Sequence, residues 1–299
     1  MSAALTVVSR RRTRTRAARA GLYVFLSVMA VGWLIPIGSA LYASLRPYSE
    51  TQKYGIFSWA KSFTFQNFRD AWNQGGMTHT FLNTMYITLP SIVLILFLSS
   101  TMAFAVSRFS WRFNVTLLLL FTAGNLLPAQ VIFQPLLQMY RAIPWPDFLS
   151  DTNTGSLLGT KIGVIIIHVA FQTGFCTFVL SNYMKTIPKE LGEAAAVDGA
   201  SVWRQYFQII MPLCRPALAA LATLEFTWLY NDFFWAVVLI QQGDQRPITS
   251  SVANLGGQFF SNDNLIAAGS MIIALPTLVV YLMLQKQFIS GLTLGANKG

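Results

Sequence analysis

Six stretches of this 299-residue chain are apolar over lengths that point to a single environment: residues 21–45, 81–107, 115–138, 162–183, 217–240 and 266–286. A helix needs about 20 predominantly apolar residues to cross the hydrocarbon core of a bilayer, and each stretch supplies them. The rest of the chain cannot offset this greasiness. Apolar residues make up 54% and charged residues 11%, against roughly 25% charged in an average globular protein. Too little polar surface remains to cover a water-soluble body, which excludes a cytosolic enzyme and a disordered chain. The predicted fold class is therefore an all-α integral membrane protein with six transmembrane helices. The first stretch follows a basic segment, as a signal peptide would. Its length exceeds the 7–15 residues of a cleavable core, and no small-x-small cleavage pattern follows, so it is expected to be a retained span.

The net charge of +10 is distributed as in a membrane protein rather than in a nucleic-acid binder. Arg10, Arg11, Arg12, Arg14, Arg16 and Arg19 directly precede the first span. With the N-terminus inside, fourteen Lys and Arg fall on the inner side and seven on the outer. That asymmetry is the positive-inside pattern. The outer segments also hold Glu50, Asp70, Asp147, Asp151, Asp244 and Asp263. An even number of spans puts both termini in the cytoplasm. The expected organisation is a basic tail over residues 1–20, a six-span domain over 21–288 and a C-terminal tail over 289–299. The two cysteines, Cys176 and Cys214, build no disulfide framework. Two outer connections are long. Residues 46–80 are rich in aromatics, Trp59 and the 63–72 stretch among them, and suit contact with a protein partner or packing on a neighbour's outer surface. Residues 139–161 carry Pro144, Pro146 and the turn cluster Asp151-Thr-Asn-Thr-Gly155.

The inner connection over residues 184–216 does not read as a loop. Pro188 is placed to open a helix, and Glu190 and Glu193 in its first turns are favoured by the helix dipole. Gly199 can end that helix. Ser201 can cap a second one, in which Val202, Tyr206, Ile209 and Ile210 recur at helical spacing before Pro212 stops it and Pro216 begins the next span. The expectation is a small amphipathic helix-turn-helix on the cytoplasmic face, between spans four and five. The alanine patch Ala194-Ala195-Ala196 allows another groove to approach closely, with Glu193 at its edge.

The spacing Glu193-Ala-Ala, Gly199, Ile209 and Met211-Pro212 resembles the signature loop of ABC importer permeases, with Met211 where the family carries Leu. Further pieces resemble the carbohydrate-uptake, maltose-type branch, and the smaller of its two permease subunits. They are Asn83-Thr84, the run from Ile187 to Leu191, Trp228 with Asn231-Asp232-Phe233, and the ending Gly291–Gly299. The resemblance runs from about residue 20 to the end, and residues 144–155 depart from the usual short connection. It implies a pore of two permeases, each docking its hairpin into one of two copies of a cytoplasmic ATPase subunit that binds ATP and Mg. It also implies an extracytoplasmic solute-binding protein that delivers a sugar, and residence in a bacterial or archaeal cytoplasmic membrane. On that resemblance Glu193, Ala194, Ala195, Asp198, Gly199, Ile209 and Pro212 form the ATPase-coupling contact. This chain would bind no cofactor or metal of its own and would not be an enzyme.

Ionisable groups inside a membrane are expensive and face a cavity or a partner. At 100° per residue Glu225 and Asp232 fall about 20° apart on one face of span five, flanked by Trp228 and Trp235, with Asn231 beside them. A polar strip beside indole rings suits a sugar. The competing reading is pairing with the second permease, which is the expectation for Glu225 and an open alternative for Asp232. Gln130, Gln134 and Gln138 in span three, and His168 and Gln172 in span four, recur every fourth residue, so each set lies on one helical face. They are candidates for lining the pathway or for joining helices. His168 fits a hydrogen-bonded packing residue better than a catalyst. Pro128 and Pro135 are placed to kink span three. With no Lys or Arg in the interior of the spans, a neutral saccharide is the expected substrate.

No phosphate-binding G-x-x-x-x-G-K-[ST] segment is present, since the run from Gly155 to Lys161 has the wrong spacing. With two histidines in all, no metal cluster or nucleophile triad forms. Two rival readings stand beside the importer. One is a proton-coupled carrier using Glu225 and Asp232, although inverted repeats are the usual mark of such carriers. The other is a scaffold whose hairpin only recruits a cytosolic protein.

Overall fold

The computed structural model of the chain describes residues 2–110, 112–124, 128–149, 155–240, 242–256 and 262–293, with side chains described between 18 and 285 apart from 147 and 254. The side chains of Arg10–Arg16, the cluster at 151–154 and the ending from 294 onward lie outside the described residues. The helices are α1 (Ser2–Ser44), α2 (Tyr48–Tyr54), α3 (Gln66–Gln74), α4 (Met77–Arg108), α5 (Asn114–Gly124), α6 (Ala129–Ala142) and α7 (Lys161–Met184). They continue as α8 (Glu190–Val197), α9 (Val202–Leu213), α10 (Arg215–Tyr230), α11 (Phe234–Leu239), α12 (Ile248–Leu255) and α13 (Asp263–Thr293). Among the described residues there is no strand, only an isolated antiparallel bridge between Pro144 and Ser156.

Four helices are long and apolar enough to cross a membrane unbroken: Ala18–Ser44, Met77–Arg108, Lys161–Met184 and Asp263–Gln285. They coincide with the first, second, fourth and sixth expected spans. The third expected span is two helices, α5 and α6. Pro128 stands at the start of α6 with extended backbone (φ −60°, ψ 131°), because its ring and missing N–H cannot continue a helix from the residues before it. Pro135 is absorbed inside α6 without a break.

The fifth expected span is also interrupted. Helix α10 ends at Tyr230, and α11 begins only at Phe234. The expectation that Glu225 and Asp232 share one helical face is therefore overturned, since the 100°-per-residue argument does not extend across a break.

The chain forms two compact units. In the first, which holds α1 and the segment that follows it, the carbonyls at the C-terminal end of α1 are met by side chains rather than by another turn of helix. Asn67 Nδ2 donates to Ser44 O and Arg46 O at 2.8 and 2.7 Å, and Asn264 Nδ2 to Ala43 O and Arg46 O at 2.8 and 3.0 Å. This satisfies acceptors that a helix end leaves open. Arg46 itself is fully buried. Its guanidinium donates to Ile56 O and Ser58 Oγ, each at 2.9 Å, and so folds residues 55–58 back beside Tyr42, whose hydroxyl donates to Ser58 O at 2.7 Å. The strapped loop holds Phe57 and Trp59 out, each 94% exposed.

The second unit is organised around α4 and α7, which make the most extensive helix contact in the chain. Both helices bury small polar residues: Thr84, Thr88, Ser91, Ser99 and Ser100 on α4, and Thr173, Thr177 and Ser181 on α7. Small side chains let membrane helices approach closely. Their hydroxyls do not break the helices, because several bond back to a carbonyl one turn earlier, as Thr84 does to Thr80 O and Ser91 to Ile87 O. An apolar cluster of Ile87, Tyr140, Ile165, Ile167, Trp235 and Leu239 closes one end of this pair.

Candidate functional site

The hairpin between α7 and α10 is built as its residues dictate. Its root is held by Arg108 at the end of α4, which donates to Met184 O at 3.2 Å and Pro188 O at 3.4 Å. Glu190 and Glu193 occupy the first turn of α8. The helix then stops in a Schellman turn: Gly199 N–H bonds Ala196 O at 3.0 Å and Ala200 N–H bonds Ala195 O at 2.9 Å. Such a turn requires a left-handed residue after the cap, and Gly199 supplies it with φ +77°. Ser201 accepts from Arg204 N–H at 3.3 Å and starts α9.

Within α9, residues 205–210 are wound as a π-helix, with Met211 N–H on Tyr206 O. Pro212, one residue later, has no N–H to sustain an α-helical ladder. Rather than ending α9, it sits in its last turn, and the chain then bends by 73° into α10, with Pro216 in the first turn. Tyr206 is buried and pins α9 to α4. Its hydroxyl lies 2.7 Å from Ser100 Oγ, and its ring centroid is 5.3 Å from that of Phe104.

The hairpin and the end of α4 enclose a cleft of about 340 Å³, lined by Phe104, Arg108, Gly192, Glu193, Gln205 and Ile209 among others. Of the expected coupling residues, Glu193, Ala194, Asp198 and Gly199 are exposed, while Ile209 and Pro212 are half-buried. Ala195 is turned inward at 9% exposure, with its carbonyl used in the Schellman turn. Val197, which the sequence reading passed over, is 88% exposed on the same short helix. Its signal was a β-branched apolar side chain directly after the alanine patch and next to the cap.

Two polar pairs lie deeper in the second unit. Glu225 is completely buried, and its Oε1 accepts from Cys176 Sγ at 3.1 Å. The expectation that Glu225 pairs with a second permease is overturned: it faces α7 of its own chain. The other pair sits at the break between α10 and α11. Asp232 accepts from Trp235 N–H at 3.4 Å and Ala236 N–H at 3.2 Å, the free amides at the start of α11. His168 Nε2 on α7 lies 3.7 Å from Asp232 Oδ2, so the structure joins two expected pathway residues from different spans. The backbone carbonyl of Asp232 accepts from Thr249 Oγ1 at 2.8 Å.

Around this break, Asn231 is exposed and donates to Thr227 O at 2.8 Å and Thr277 Oγ1 at 3.3 Å. Trp228 packs on Phe175 (5.4 Å between centroids) yet remains 44% exposed. Gln172 is half-buried. Gln130, Gln134 and Gln138 do share a face of α6, and it is the exposed one. The opposite face, with Ile132, Phe133 and Leu136, packs on the apolar cluster. His168 and Asp232 thus approach each other at a helix break, with Asn231 and Trp228 preceding Asp232 on the chain. Among the described residues, no group of side chains is arranged to hold a metal ion.

Residues 77–288 match the family described as "Binding-protein-dependent transport system inner membrane component". The chain is 30% identical over 266 residues to a probable ABC transporter permease protein of Pyrococcus horikoshii, an alignment that covers 88% of this chain and 92% of that one. It is 29% identical over 290 residues to the melibiose/raffinose/stachyose import permease protein MelC of Bacillus subtilis, covering 97% and 100%. Among solved structures, a chain of a bacterial ABC transporter involved in the import of the acidic polysaccharide alginate superposes with a TM-score of 0.76. That match has 20% identity and covers 91% of this chain and 97% of the other, which is a likeness of fold.

Proposed function

This chain belongs to the family of binding-protein-dependent transport system inner membrane components, and from that premise we propose that it is one of two permease subunits in an ATP-driven importer of a neutral saccharide. In this reading it crosses the cytoplasmic membrane six times with both termini inside. Expected spans three and five are the interrupted ones. The basic tail over 1–20, the permease domain over 21–288 and the tail over 289–299 keep their assigned sides. A second permease completes the pore, two copies of a cytoplasmic ATPase bind ATP and Mg, and a solute-binding protein delivers the sugar from outside.

The observation that carries the reading is the hairpin. It is a Schellman-turned element that presents Glu193, Ala194, Val197, Asp198 and Gly199 outward and is fastened to α4 by Arg108 and Tyr206. A surface of that kind, gripped by a moving ATPase, passes motion into the spans as a helix displacement. The saccharide assignment is supported by the sugars for which the relative MelC is named and by the break at Asn231–Phe233. Trp228, Asn231, Asp232, His168 and Gln172 stand there within one helix bundle, and Gln130, Gln134 and Gln138 present amides on an exposed face. No lysine or arginine lies among these residues, which disfavours a sugar phosphate.

The test is uptake of labelled saccharides by proteoliposomes that hold the chain with its partner permease, ATPase and binding protein. ATP-dependent uptake that survives a protonophore is the expected result. Uptake driven by an imposed proton gradient without ATP would overturn the proposal and favour a proton-coupled carrier.

A further inference from the structure

At the end of α4 remote from the hairpin, Asn83 and Thr84 are 4% and 1% exposed. Asn83 Nδ2 donates to Asp244 O at 2.8 Å and to Arg246 O at 3.2 Å, while its Oδ1 accepts from Lys161 Nζ at 3.1 Å. Only one orientation of the amide puts nitrogen on two carbonyls and oxygen on an ammonium, so the network itself fixes it. Thr84 Oγ1 accepts from Ile248 N–H at 2.8 Å. Arg246 Nε donates to Ile240 O at 2.9 Å, and Gly159 N–H bonds Leu239 O, also at 2.9 Å. One turn of α4 thus fastens residues 244–248 and the start of α7, and these in turn hold the end of α11.

The other end of the same helix holds the hairpin through Ser100 and Tyr206 (2.7 Å) and through Arg108 on Met184 O and Pro188 O. Between Asn83 and Ser100 run about 25 Å of helix at about 1.5 Å per residue. Two distant chain segments are therefore tied to one rod, with a polar fastening at each end.

We propose that α4 carries the hairpin's displacement to the segment at residues 242–248, and that Asn83 and Thr84 are the positioning residues that fasten that segment to it. The proposal rests on the importer reading, in which this segment lies on the side where the binding protein arrives. Events at the two ends then load one helix. Coupling between them is reciprocal, so loss of the far fastening weakens the signal from the binding protein to the ATPase without touching the ATPase itself.

The experiment compares variants in the full complex, reconstituted in nanodiscs, by basal and binding-protein-stimulated ATP hydrolysis. Asn83→Asp keeps the shape but sets a carboxylate oxygen against two carbonyls. Thr84→Val removes the acceptor for Ile248 N–H, and Thr84→Ser keeps it. Asn83→Asp and Thr84→Val are expected to lower the stimulated rate about tenfold with the basal rate unchanged, the scale of one or two buried hydrogen bonds. Thr84→Ser is expected to stay near wild type. Ser100→Ala, which removes only the hydroxyl bonded to Tyr206, is expected to show the same selective loss and decides the matter if the far variants do not assemble. Stimulation within twofold of wild type in Asn83→Asp, Thr84→Val and Ser100→Ala would overturn the proposal, as would parallel loss of basal and stimulated rates. A wild-type complex that its binding protein does not stimulate would instead remove the importer reading beneath it.

Discussion

Replacing Gly199 by alanine adds a methyl group to a residue whose φ is +77° and whose missing Cβ would meet no atom within 4 Å. No clash contributes, so the whole effect is conformational. An L-residue in the left-handed region costs about 1–2 kcal/mol, which shifts the balance between turned and opened hairpin by roughly 5- to 30-fold. The two hydrogen bonds of the Schellman turn, at 3.0 and 2.9 Å, close only with that conformation. Asparagine tolerates it better than alanine, and valine, stiff at its β-carbon, tolerates it worst. Saccharide transported per ATP hydrolysed by the reconstituted complex should therefore fall in the order Gly, Asn, Ala, Val, while size-exclusion chromatography shows the complex still assembled. Equal transport by all four, or a loss that tracks failed assembly, would refute the reasoning.

Three further outcomes are expected. Cys176→Ala leaves buried Glu225 Oε1 without its 3.1 Å donor and should lower stability by about 1–3 kcal/mol, seen as a reduced thermal midpoint of the purified complex. Cys176→Ser should restore the donor, and an unchanged midpoint in the alanine variant would contradict the pairing. Trp228→Ala removes a half-exposed indole beside the helix break and should raise KM for saccharide with kcat little changed; unaltered kinetics for every sugar tried would remove Trp228 from the pathway. The Glu50 carboxyl, in the first unit, is held below its ordinary value of 4.5, first by the Ser62 hydroxyl and then by Lys61 N–H. Its clasp on residues 61–62 should persist above that value and loosen only as pH falls below 4.5 through the lowered value. Amide exchange at Lys61 between pH 6 and 3 follows this, and opening above pH 4.5 would count against it.

Much of the architecture was legible because membrane spans announce themselves by length and hydropathy. Helices α1, α4, α7 and α13 fall where the apolar runs lie. The hairpin was legible from its punctuation: acidic first turn, Gly199, Ser201 and two prolines. What stayed hidden obeys subtler rules. The end of α10 at Tyr230 has no proline or glycine to mark it, and the apolar composition continues past it. Its one local sign is Asp232, placed three and four residues before the amides of Trp235 and Ala236, a helix-start pattern lost inside a hydrophobic window. The π-turn at residues 205–210 leaves no periodic trace. The inward face of Glu225 depends on Cys176, and the burial of Arg46 depends on carbonyls at residues 55–56; neither partner is visible until the chain is folded. Direction is tertiary information, and a charged residue's type alone does not carry it.

The central claim is that the outward edge of the hairpin meets an ATPase. Ala194 is exposed there, while Cys176 and Cys214 are buried, so a photoactivatable crosslinker on Ala194→Cys reports mainly from one place. In membranes that contain the assembled transporter, it should capture the ATPase subunit, with a yield that changes when ATP is bound. Products confined to lipid, with or without nucleotide, would contradict the account.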